Sequence, residues 1–225
     1  MLMQAIGAVL PFAVGVALSP IPIIAIILML DTPRAPTNGP AFALGWIAGL
    51  VGVSVIVLVV AGGADDPDSS TATGVNWVLV AIGVLFLWMA LKQWRKRPKK
   101  GEAPELPAWM AKVDEVAPGR ALVLGVLLSG VNPKNLALTA AADAAIAQAG
   151  MSAGEELVAV GVFVVLASVT VVGPVLFYLV ARDRAEAPLA SVKDFMAAHN
   201  AVIMMVILLV IGAKVLGDGL GGLAR

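Results

Sequence analysis

Lys134 stands inside an apolar run, in the stretch Ser129-Gly130-Val131-Asn132-Pro133-Lys134-Asn135. A lysine at the centre of a membrane helix costs about 2.5–3.5 kcal/mol on insertion scales, so it faces a cavity or a partner. The plainer reading is a side chain that snorkels to the nearer surface. Arg120 already marks that surface about 21 Å of helix away, beyond a lysine's reach. Pro133 carries no backbone donor, and Asn132 and Asn135 can bond freed backbone or a polar group of a substrate. A second break is written at Ser19-Pro20-Ile21-Pro22, where two prolines force the helix open. Backbone at membrane depth stays open only where protein or water satisfies it. Each helix that restarts after its proline presents donors and a positive dipole end. Those two starts together with Lys134 predict a site for an anionic or strongly hydrogen-bond-accepting group. Its candidate substrate-binding residues are Ser19, Pro20, Pro22, Ser129, Asn132, Pro133, Lys134 and Asn135. Asp31 and Asp143 lie toward the ends of their spans and are candidates for proton coupling, with interfacial anchoring as the plainer role. One histidine, no cysteine and no nucleophile or metal-ligand motif argue against an enzyme, a cofactor or a metal.

The two breaks belong to near-copies. Gly15-Val16-Ala17-Leu18-Ser19 aligns with Gly125-Val126-Leu127-Leu128-Ser129 at a constant offset of 110. Of 225 residues, 60% are hydrophobic and 13% charged, and the mean hydropathy is +0.96, so lipid must solvate most of the chain. Apolar runs occupy roughly 3–30, 41–63, 75–92, 120–147, 156–181 and 200–216, each near bilayer length. Three spans run from the start of one copy to the start of the next, and an odd number inverts the second copy. The expected fold is an all-α polytopic membrane protein of six transmembrane helices, built as two inverted three-helix repeats with helices 1 and 4 broken. The repeats are 1–94 and 119–225, joined by a basic linker, 95–118. Gly173-Pro174, with Thr170 nearby to satisfy backbone, marks a further bend in the fifth span. Ala41-xxx-Gly45-xxx-Gly49 puts small residues on one face of the second, for close packing inside the molecule rather than a dimer seam.

Basic residues set the orientation. Arg34, then Arg95 to Lys112, then Arg182, Arg184 and Lys193 fall in alternate loops, which are therefore cytoplasmic. The opposite loops hold Asp65, Asp66, Asp68, Glu155 and Glu156 with no Lys or Arg. Both termini are then expected outside. No Lys or Arg precedes Arg34, so the first run lacks the basic start of a cleavable signal and reads as a retained helix. Lys+Arg equals Asp+Glu at 15 each, which points away from nucleic acid.

At Ser19-Pro20-Ile21-Pro22, Asp31-Thr32-Pro33-Arg34-Ala35, Gly39-Pro40-Ala41-Phe42, Asn132-Pro133-Lys134-Asn135 and the tail Asn200 to Lys214, the chain resembles the lysine-exporter (LysE) superfamily. It is most similar to the peptidoglycolipid-addressing (GAP) family, also called sulfolipid-addressing proteins. The likeness covers nearly the whole chain, and the Asn-Pro-Lys element occurs across the superfamily. Asp143 departs from it, at a position where small apolar residues are usual. The resemblance implies an actinobacterial inner-membrane protein that moves, or helps move, envelope glycolipids outward. Membrane lipids and an amphiphile with an anionic or polar headgroup are the expected partners. A second copy of the chain and separate lipid-export machinery are the further candidates. Two alternatives remain beside export of an amphiphile: a small-solute exporter for an amino acid or ion, and an accessory scaffold for a lipid pump. An amino acid's ammonium would want a midplane carboxylate, and the sequence offers none there.

Overall fold

Pro20 and Pro22 cannot donate to the carbonyls of Val16 and Leu18, and the first apolar run divides there into α1 (Leu2–Ala17) and α2 (Pro20–Leu30), bent by 53°. The computed structural model describes residues 1–62, 70–97 and 107–224, and every regular element among them is helical. After α2 come α3 (Ala35–Gly62), α4 (Ser70–Arg95) and a short 3₁₀ segment (Ala108–Glu115). α5 (Pro118–Val126) runs into a π-helical stretch, Leu127–Val131, and α6 (Pro133–Ala147) restarts after a bend of 59°. A single run, α7 (Ala153–Leu223), closes the chain. The acidic loop with Asp65, Asp66 and Asp68, and the linker residues Lys99 and Lys100, lie outside the described residues.

Three of these helices are long and apolar enough to cross a membrane, and five spans result when each bent pair counts as one. α7 is itself divided: Ala181, at φ −141° and ψ 53°, leaves the helical region and separates a first limb, 153–180, from a second, 182–223. At Gly173-Pro174, where a break was expected, the backbone keeps helical φ and ψ, and Ala181 is the non-helical position in α7. Residues 182–199, expected as a loop, are helical. That stretch holds five Ala and two Arg, strong helix formers, and turns Ala185 and Leu189 into the core. α3 likewise starts at Ala35 rather than 41, since Pro36 falls in a first turn, where a missing donor costs nothing. α7 opens on a capping box between Ser152 and Glu155. The Ser152 backbone N–H and hydroxyl hold the Glu155 carboxyl below its ordinary range.

Glycines let the helices meet backbone to backbone. A Cβ on Gly45 would fall on the Leu122 carbonyl, and one on Gly125 on Phe42 and Trp46 backbone, so α3 and α5 touch there. Gly83, Gly212 and Gly219 do the same between α4 and the second limb of α7. The small face of α3 thus packs inside the molecule, against α5 and the π stretch. Trp46, Phe12, Phe42, Phe86 and Phe163 fill the space between helices and are fully buried. Part of the linker joins this core. Met110 and Val113 of the 3₁₀ segment are buried, and Asn38 Nδ2 donates to the Val116 carbonyl at 2.9 Å.

Candidate functional site

Breaking α1 frees the carbonyls of Gly15, Val16 and Ala17, and each is met by a polar side chain. Lys134 Nζ donates to Gly15 O at 2.7 Å, from across 119 residues of sequence. The Ser19 hydroxyl lies 2.6 Å from Val16 O and 3.0 Å from Asn135 Oδ1. It has one proton to give, and the shorter contact to Val16 is the better acceptor. Thr170 Oγ1, on the first limb of α7, donates to Ala17 O at 2.5 Å. Lys134 also donates to Ser19 Oγ. Lys134 is 2% exposed, and no carboxylate lies within ion-pair distance of its ammonium among the described residues.

The second break is mended from within. Asn132 N–H closes a π-type bond to Leu127 O at 2.9 Å, and Asn135 Nδ2 donates to Leu128 O at 2.8 Å. Asn132 Oδ1 accepts from Lys134 N–H at 3.0 Å and caps the start of α6. Ser129 donates back to Gly125 O at 2.9 Å, with Val126 O at 3.3 Å, as Ser19 does to Val16. The repeated serines therefore repeat their task. The asymmetry between the halves is Lys134, since the helix that restarts in the first half, Pro20–Leu30, holds no charged residue.

Lys134 occupies an electrostatically divided position. It lies in the first turn of α6, at that helix's positive end, yet its ammonium reaches the negative end of α1. The donors expected at the helix starts are mostly consumed. Pro20, Pro22 and Pro133 have none, Ile23 N–H serves Ser19 O, and Leu136 N–H serves Asn132 O. Thus Ser19, Lys134, Asn132 and Asn135 meet at one closed junction between the two breaks, with Ser129 in the π stretch beside them. Thr170 completes it, and the sequence signalled that residue only as a neighbour of Pro174.

Two clefts lie at opposite ends of the α1–α2 pair. One, of about 530 Å³, opens between the start of α1 and the end of α7 and reaches down to Phe12, about one turn from Gly15. Lys214 sits over the Phe12 ring at 4.9 Å and pairs with Asp218 at 2.6 Å on its rim. The other, of about 480 Å³, lies where α2 ends beside the Ala181 break, and is lined by Asp31, Tyr178, Arg182 and Lys193. Asp31 is exposed there. Asp143 is not near a surface: it is fully buried, with Thr139 one turn before it. The Ser54 hydroxyl of α3 faces that carboxyl, yet neither group closes a hydrogen bond. Thr139 and Ser54 were not signalled, although 135, 139 and 143 share one face of α6 by spacing.

The sequence profile of the family described as Sap, sulfolipid-1-addressing protein, matches residues 9–221. No curated protein and no solved structure matches the chain.

Proposed function

The chain belongs to the sulfolipid-1-addressing protein family, a membrane family of lipid addressing, and we propose that it is an inner-membrane exporter that carries a glycolipid or similar amphiphile outward by alternating access. The observation that carries this reading is the closed junction of two broken helices, set between two clefts at opposite ends of the molecule. With Ala181 counted as a turn, six spans result, in two inverted halves. The positive-inside rule places the Asp31 cleft in the cytoplasm and the cleft near both termini outside. A headgroup enters at Asp31 and Arg182 while its acyl tails stay in the bilayer. At the junction it replaces the Gly15 carbonyl on Lys134, whose ammonium favours an anion over a neutral carbonyl. The headgroup then leaves past Lys214. Rocking one half against the other exposes the junction to each cleft in turn.

Deleting the gene is expected to deplete extractable surface glycolipid while the intracellular lipid pool rises, and the wild-type chain restores both. Unchanged lipids with altered amino-acid efflux would instead assign the protein to small-solute export.

A further inference from the structure

Asp143 has both carboxyl oxygens buried and unpartnered. The helices around it cannot supply a counter-ion. α1, α3 and the π stretch contain no titratable side chain. On α4, Lys92 and Arg95 lie in the last turn, far along the helix. From α7, Lys214 and Asp218 hold each other, Glu155 is tied to Ser152 at the surface beside Glu156, and the charges from Arg182 to Asp194 lie at the opposite end. On α6 itself, Lys134 is bonded to Gly15 and Ser19, about 13 Å of helix away. A bare carboxylate in such surroundings is prohibitively costly, whereas a neutral acid needs only an acceptor for one O–H, and Ser54 offers it. Two hydroxyls and one carboxyl make a thin shell for a metal cation, and a full one for a proton.

We propose that Asp143, with Ser54 and Thr139, is the proton site that drives export, holding its proton in the closed junction. The proposal rests on the exporter reading. Asp143 lies one turn before the end of α6, where Gln148 and Ala149 line the outer cleft, so parting of α6 from α3 at that end admits outer water to the carboxyl. There a carboxylate oxygen forms an O–H bond as hydronium gives up its proton. The neutral acid packs back against α3. In the inward-open state the O–H bond breaks and the proton passes to cytoplasmic water. The bare carboxylate then crosses back only with a headgroup bound on Lys134, and is reloaded from outer water once the headgroup has left. Asn135 and Thr139, on the same face, join this seat to the junction, so the state of Asp143 biases whether Lys134 stays capped on Gly15.

Infrared difference spectroscopy on the full chain in phosphatidylglycerol–phosphatidylcholine nanodiscs tests this. At neutral pH the wild type should show a protonated-carboxyl stretch that is absent in Asp143→Asn and shifted upward in Ser54→Ala. Exchanging potassium for sodium should leave it unchanged. No such band in the wild type, or a band lost on adding sodium, overturns the proton site. If Asp143→Asn fails to fold, the Ser54→Ala shift decides. In cells, a protonophore should abolish wild-type surface lipid transfer, and transfer that persists undiminished overturns the coupling. A deletion strain with unchanged surface lipids would sink the exporter reading instead, whatever the infrared band shows.

Discussion

Lys134→Met is expected to abolish surface lipid transfer while the protein still reaches the membrane. Methionine fills the stem of the lysine but offers no donor, so Gly15 O is left buried and unsatisfied and Ser19 Oγ no longer accepts from Lys134. An unsatisfied buried acceptor costs about 1–3 kcal/mol, and losing the cation opposite the end of α1 adds to it. The larger loss is functional, because the group that would hold an anionic headgroup is gone. Ser19→Ala should be milder, costing about 1 kcal/mol, since Val16 O and Lys134 each lose one partner but Lys134 keeps its bond to Gly15 O. Surface lipid extracted from a deletion strain carrying each variant, at matched membrane levels, measures both. Normal transfer by Lys134→Met would favour the scaffold over the exporter.

Gly125→Val is expected to destabilise the membrane core strongly. Any Cβ there meets the backbone of Phe42 and Trp46, which cannot move aside as a side chain tip could. α3 and α5 must separate, at a cost of about 3 kcal/mol, or roughly 6–12 °C in melting temperature. Gly52→Val is the matched control, since a Cβ at Gly52 meets nothing within 4 Å. Thermal melting of the detergent-purified variants, followed by size-exclusion fluorescence, reads the difference.

The breaks were legible because proline's missing donor acts locally: Pro20, Pro22 and Pro133 open the chain wherever it folds. The burial of Lys134 was legible for a similar reason, since no surface was within its reach. What Lys134 touches was not, because Gly15 is brought to it by the packing of α1 on α6, and no spacing rule encodes that. The same holds for Thr170, whose hydroxyl was expected to mend its own helix and instead mends α1. Residues 182–199 misled because charge is a good guide to solvent and a poor one to backbone conformation. Asp143 misled in the opposite sense. Its place near a span end suggested a surface, whereas α3 and α6 approach closely enough to bury it. The two glycines on α3 announced a different close approach, which α5 and the π stretch fill.

Alternation of the two clefts is the claim on which the rest stands, and paired spin labels measure it directly in a chain free of native cysteine. One pair, Gln4→Cys with Gln148→Cys, spans the cleft near both termini, and another, Thr32→Cys with Ala190→Cys, spans the cleft at Asp31. Distances across one should widen as those across the other narrow when lipid composition or pH shifts the population. Two distances that never change, or that widen together, would contradict it.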